Sequence, residues 1–289
     1  MANLSAIIAQ KGQNDEHWKA QKMAERENAV AMQDAGFTEI AGNPEAYTRY
    51  LDLQGSNPMY SPGNIILAMM QKPALTVIGT ADRWKTLGRR VKDSEVGNGV
   101  QIFARSNVRS NFNLTDAYDI SQTTGREIKA LHLENDSKAM ESALATLLNF
   151  STVPIRTDAE MEEAAYYDAD RMELFVNPNV PDDAAFSAIA AEVAHSRFHG
   201  KGANSGYDRA ECDLDAQSVS YLLCKRFGVE RALPDLSGLA EIYSEWTPQE
   251  IREALNAVQG MSKQIGGAID WALTPQQHSR GQAPRRSAR

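Results

Sequence analysis

The sequence predicts an α+β protein in two modules, a small mixed N-terminal domain followed by a mainly helical domain that holds a short sheet. Three observations lead there. Short β-like runs gather between residues 75 and 120, helical periodicity dominates from residue 138 onward, and charge divides unequally between the two stretches. From Ala81 to Ser110 the basic residues Arg83, Lys85, Arg89, Arg90, Lys92, Arg105 and Arg109 are opposed only by Asp82, Asp93 and Glu95. From Asp158 to Glu173 the balance reverses, with Glu160, Glu162, Glu163, Asp168 and Asp170. Opposite signs suit two modules with different partners, and a scatter of solvated charges is the plainer alternative.

The elements follow in order. Residues Asn14 to Gly36, rich in Glu, Lys, Arg and Ala, read as an exposed helix ended by the glycine. A second helix is predicted over Pro44 to Leu53, and a third over Asn64 to Gln71 after the turn Tyr60-Ser61-Pro62-Gly63. Strands are predicted at Leu75 to Ile78, Gln101 to Ala104 and Ala117 to Ile120, with Asn98-Gly99 as a hairpin-turn signal. Lys138 to Asn149 returns to helical spacing, and Leu174 to Val176 reads as a strand closed by Asn177-Pro178. A helix from Asp183 to about His199, a Gly-rich loop and a helix from Arg209 to Phe227 come next, the last stopped by Gly228. Thr247 as N-cap, Pro248 and Glu250 open a final helix to about Lys263.

Composition removes several classes. A chain of 289 residues suggests about two domains, and 42% apolar with 24% charged residues is globular. No 18 apolar residues run together, the first residues lack signal-peptide order, and two cysteines cannot build a disulfide framework. A soluble, cytoplasmic protein without membrane partners is expected. The net charge of −8 argues for a local basic patch rather than a basic molecule.

The most informative stretch is Ala190-Ala191-Glu192-Val193-Ala194-His195-Ser196-Arg197-Phe198-His199. At about 100° per residue, Phe186, Ile189, Ala190 and Val193 share one face, while Ala191, Glu192, His195 and His199 share the other. That second face has the layout of a His-Glu-x-x-His metallopeptidase helix, in which two histidines ligate zinc and the glutamate activates water. The position of the first histidine holds Ala191, which carries no donor. Either the ligand set has shifted to His195 and His199, or His195 is a core histidine and His199 serves the C-terminal end of the helix dipole. In the following helix Asp213, Gln217, Ser220 and Cys224 form one polar stripe, where a third ligand would stand; a solvated face is the alternative.

These residues resemble the ArdC-like antirestriction family of conjugative elements, which joins an N-terminal single-stranded-DNA-binding domain to a C-terminal zincin-like metallopeptidase domain. The N-terminal likeness runs from Ala46 to Glu127 and rests on Tyr60-Ser61 with Asn64, on Gln71-Lys72-Pro73-Ala74, on Trp84 through Lys92, and on Tyr118 through Thr123. The C-terminal likeness runs from Glu173 to Gly228 and rests on Glu192 through His199 and Asp213 through Tyr221. The sequence departs from the family pattern at Ala191, where the first zinc-binding His belongs, and at Asp213, where the third ligand is usually Glu.

The resemblance implies a DNA-binding domain over 1–135 and a degenerate zincin-like domain over 136–275; the end of the chain over 276–289, with four arginines and no acid, reads as a basic disordered tail. It implies single-stranded-DNA binding through Tyr60, Asn64, Trp84, Lys85, Arg89, Arg90, Lys92 and Arg105, where cations meet phosphates and flat rings meet bases. Trp84 as a core anchor, with the arginines as a solvated face, is the competing reading. A host restriction or defence protein is the implied second partner. The alternative function is an active zinc peptidase with His195, His199 and Asp213 on the metal and Glu192 as general base. A third reading makes the acidic stretch around Asp158 to Asp170 a decoy or docking surface.

Overall fold

The computed structural model describes residues 3–105, 112–201 and 206–274. Helix α1 spans Leu4–Gly42 and is longer than expected at both ends. Gly36 does not stop it, because the glycine is the point where the helix holding Ile66 and Met70 approaches. A Cβ there would stand 2.4 Å from Ile66 Cγ2 and 2.9 Å from Met70 Cγ. Toward its start α1 carries exposed apolar side chains, with Leu4, Ile7, Ile8, Trp18 and Met23 each more than half exposed. Asn43 caps α2 (Pro44–Ser56) by accepting from the Glu45 and Ala46 amides. Ser61 caps α3 (Pro62–Gln71), and the Gln33 amide reaches across from α1 to the Gly63 carbonyl at 2.8 Å.

Three strands, β1 (Ile78–Thr80), β3 (Val100–Arg105) and β4 (Phe112–Asp119), form an antiparallel sheet in the order β1-β4-β3. The first strand begins later than the predicted Leu75 to Ile78 because side chains hold the preceding backbone. Asn57 Nδ2 donates to the Thr76 carbonyl, and the Thr76 amide donates to Asp119 Oδ2, at 2.8 and 2.7 Å. After α4 (Ala81–Thr86), strand β2 (Arg89–Val91) pairs with β5 (Thr123–Gly125) rather than with β3. Asn98-Gly99 is therefore no hairpin turn; a 3-10 turn at Asp93–Glu95 carries the chain away from β2 instead.

The C-terminal part opens with α5 (Lys138–Leu148) and a sheet of β6 (Ile155–Thr157), β8 (Glu173–Val176) and β7 (Ala165–Asp168). β6 runs parallel to β8 and β7 antiparallel to it. Helices α6 (Asp182–Lys201), α7 (Arg209–Phe227), α8 (Leu239–Ile242) and α9 (Pro248–Leu273) complete the chain. Helix α9 outruns its expected end at Lys263 and returns to the N-terminal half, where Arg252 pairs with Asp34 at 2.7 Å and Gln259 donates to the Pro58 carbonyl. One continuous hydrophobic core, from Phe37 through Tyr47 and Phe186 to Ile269, runs across both halves. Among the described residues no helix is long and apolar enough to cross a membrane. The tail over 276–289 and Arg109 lie outside the described residues.

Helix α6 is covered on both sides, not on one. Ala191, Glu192, His195 and Ser196 are buried along with Phe186, Ile189 and Val193. α7 meets it through a T-shaped Phe186–Phe227 contact and the Ser220 hydroxyl on the Ser187 carbonyl, while the β7 backbone approaches Glu192. Gly228 ends α7 in the left-handed region (φ 65), as its sequence position predicts. A Cβ there would also stand 2.5 Å from His132 Nδ1.

Helices α2 and α7 lock the halves together. Tyr47 Oη and Ser218 Oγ share a 3.1 Å hydrogen bond, while Tyr221 and Lys225 both donate to Asp52. Beside this contact Asp215 is charge-coupled to Tyr47, Tyr50 and Tyr243, and desolvation pushes its carboxyl up to about 7. Between about pH 4 and 7 the folded chain keeps a proton that the unfolded chain has released, so stability falls with rising pH across that window and stays low above it. Asp215→Asn is expected to remove that slope and to raise stability at about pH 8 by roughly 1 kcal/mol or more. Urea midpoints measured at both ends of the window check this; a variant with the wild-type slope contradicts it.

Candidate functional site

Two places gather the residues that the sequence singled out. The first lies between α6, α7 and β7. His195, fully buried, has Nε2 3.3 Å from Asp213 Oδ1 and Nδ1 2.9 Å from the Tyr207 hydroxyl. A carboxylate only accepts, so Nε2 carries the proton and Nδ1 accepts from the tyrosine. Asp213 also accepts from Gln217 Nε2 at 3.1 Å, and the His195 hydrogen bond holds its carboxyl below the usual range. Arg231 braces Gln217 in turn through the Gln217 carbonyl and side-chain oxygen.

Glu192 does not reach this pair. Both its oxygens accept from Arg209, Oε1 from Nη2 at 2.6 Å and Oε2 from Nη1 at 3.0 Å, and Oε2 also accepts from the Tyr167 amide at 2.7 Å. Burial works against the Arg209 charge, but the Glu192 hydrogen bond and charge outweigh it and raise the guanidinium pKa. His199 turns elsewhere again: Nδ1 lies 2.6 Å from the Tyr167 hydroxyl, and its ring stacks on Tyr207 at 4.6 Å between centroids. Burial pushes the Tyr207 hydroxyl pKa up.

The expected zinc does not fit these residues. Ala191 offers no donor, and both His195 nitrogens, His199 Nδ1 and Asp213 Oδ1 already have protein partners. Among the described residues no three His, Cys, Asp or Glu side chains converge as a metal-binding group. Sequence reasoning missed Tyr167, Tyr207 and Arg209. The last left a signal: an arginine at the first position of α7 sits at the positive end of the helix dipole, so its charge needs a partner.

The second place runs beside α1. Along β3, alternation puts Gln101, Phe103 and Arg105 on one face. The Phe103 ring lies under the Arg26 guanidinium at 5.5 Å. Trp18, 59% exposed, and Lys22 stand about two turns and one turn before Arg26 on α1. Trp18, Lys22, Arg26 and Phe103 line a depression of about 270 Å³ that shares Lys22, Glu25 and Leu114 with a second of about 410 Å³, where Gln101 stands. A third, of about 280 Å³, shares Arg26 and Phe103 and extends toward Arg252 and Asn256. Together they make a groove with two flat rings, spaced cations and side-chain amides.

The residues expected to bind DNA fall into two groups. Trp84 is fully buried, its indole donating to the Tyr118 carbonyl at 2.9 Å, so its face is closed to a base. Asn64 is tied to the Phe103 backbone in both directions and fixes β3. Arg89 is held by Thr123 and the Arg126 carbonyl, and Lys92 donates to the Ser121 carbonyl. Tyr60 is half-buried with Arg83 over its ring at 5.9 Å. Lys85, Arg90 and Arg105 are exposed. Of these, Arg105 ends the groove strand, while Lys85 and Arg90 belong to α4 and the β2–β5 ribbon.

The fold is of the ArdC type. It is similar to the crystal structure of the antirestriction protein ArdC from plasmid R388 bound to Mn(II), with 16% sequence identity, 86% of this chain and 99% of that chain covered, and a TM-score of 0.51. The metal-free structure of the same protein covers 83% of this chain and 96% of its own at 16% identity, with a TM-score of 0.46. No family model matches the sequence, and no curated protein does.

Proposed function

We propose that the protein binds single-stranded DNA in the groove between α1 and the β3–β4 hairpin, in an antirestriction or DNA-protection role for a mobile genetic element. Its α6–α7 half is then a zincin-like scaffold that no longer hydrolyses peptides. The observation that carries the reading is the groove itself, lined by the Trp18 and Phe103 rings with Arg26 and the Glu25-paired Lys22, and with Arg105 at the end of the same strand as Phe103. Sequence-independent binding of single strands asks for that combination: cations spaced for phosphates and flat faces on which any base stacks. The antirestriction role rests on likeness of fold to ArdC.

The peptidase alternative needs a glutamate free to take a proton from metal-bound water. Glu192 instead has both oxygens on Arg209, and that speaks for the binding role. A fluorescent single-stranded oligonucleotide is expected to bind with an affinity that falls steeply between about 50 and 200 mM salt, and a duplex of the same length to bind more weakly. Absence of saturable binding at low salt, or preference for the duplex, contradicts the reading.

A further inference from the structure

We propose that two guanidinium groups, from Arg209 and Arg231, are the resident cations of the α6–α7 site, and that they exclude a divalent metal from it. The inference deepens the non-peptidase reading above and rests on it. Two carboxylates face the site, Glu192 and Asp213. Arg209 holds Glu192 through a two-pronged contact and is also charge-coupled to Asp213. Arg231 is charge-coupled to Asp213 and clasps the same Gln217 that donates to it. Two negative charges are thus matched by two positive ones within the chain. A divalent ion would bring two further positive charges beside both guanidiniums, with no new carboxylate to meet them.

Geometry points the same way. A metal site at this helix pair needs a donor where Ala191 stands and a free nitrogen on His195. Neither is present: Ala191 has no donor and His195 is held at both nitrogens, while Arg209 occupies both oxygens of Glu192. The loss of a ligand at Ala191 and the presence of a cation at Arg209 are therefore complementary. The side chain stays part-exposed (36%) while its carboxylate partner is at 7%, so the guanidinium closes the site like a plug.

The test is calorimetric titration of Mn(II) and of Zn(II) into EDTA-stripped, dialysed full-length protein, with melting curves in parallel. Wild type is expected to show no saturable binding and an unchanged Tm with EDTA or either ion. Arg209→Ala combined with Ala191→His is expected to gain saturable binding at one ion per chain and a metal-dependent rise in Tm. Binding of one ion per chain by wild type, with a Tm that EDTA lowers, overturns the proposal. So does a folded double variant that takes up no metal. If that variant does not fold, Arg209→Gln combined with Ala191→His removes the guanidinium charge while keeping an amide donor beside Glu192. It is expected to show the same metal-dependent rise in Tm, and a folded variant without that rise counts against the proposal. Oligonucleotide binding measured on the same wild-type sample separates the two claims, because the groove lies outside this site and its affinity does not depend on the metal result.

Discussion

Trp18→Ala is expected to weaken binding to a single-stranded oligonucleotide roughly 5- to 150-fold, the equivalent of about 1–3 kcal/mol for one lost base–aromatic stack. The effect falls on binding alone. Trp18 is 59% exposed on a stretch of α1 that stands clear of the core, so its removal leaves the folded body intact. Trp84→Phe is the matched control: it deletes the indole donor to the Tyr118 carbonyl inside the core, and lowers stability by about 1 kcal/mol with affinity preserved in the folded fraction. Anisotropy titrations and melting curves of the two variants separate the roles. Loss of affinity in the Trp84 variant, with none in the Trp18 variant, reverses the assignment.

Arg209→Ala is expected to cost about 3 kcal/mol of folding stability, because it leaves the Glu192 carboxylate buried without its cation. The figure sits at the low end of the range for such pairs because Arg209 is itself 36% exposed. For a chain of this size the corresponding drop in Tm is roughly 6–12 °C. Arg209→Lys keeps a charge but loses the fork that meets both oxygens, so it should fall between alanine and wild type. An unchanged Tm in the alanine variant contradicts a structural role for the pair.

Local rules in the sequence carry much of the fold. Caps at Asn43, Ser61, Asp208 and Thr247 sit where short-range chemistry predicts them, and Gly228 ends α7 in the left-handed conformation. Where reading failed, a tertiary contact decided. Gly36 reads as a stop, yet its missing Cβ lets α3 close on α1. Asn98-Gly99 reads as a hairpin, yet β2 takes β5 as its partner across more than thirty residues of sequence. Helix α6 looks two-faced in projection, but β7 and Arg209 cover the face that seemed open.

The site was legible in part for the same reason. The spacing of Glu192, His195 and Asp213 places the three around one helix pair, and His195 does meet Asp213. What spacing cannot give is the partner that arrives from elsewhere, and here Arg209 and Tyr207 decide what Glu192 and His195 can do. The basic run from Arg83 to Arg105 illustrates the opposite error. Arg89 and Lys92 spend their charged heads on backbone carbonyls, while the groove's exposed ring, Trp18, sits on a helix whose sequence looks merely soluble.

Photo-crosslinking tests the central claim most directly. A single-stranded oligonucleotide carrying halogenated uracil is irradiated with the full-length protein, and the adducts are mapped by peptide mass spectrometry. DNA lying along α1 and β3 predicts adducts at Trp18 or Phe103, lost from the Trp18→Ala variant at the first position and reduced by high salt. Adducts confined to the α4 and β2–β5 region around Lys85 and Arg90, with Trp18 and Phe103 unmodified, would place the strand elsewhere and contradict the account.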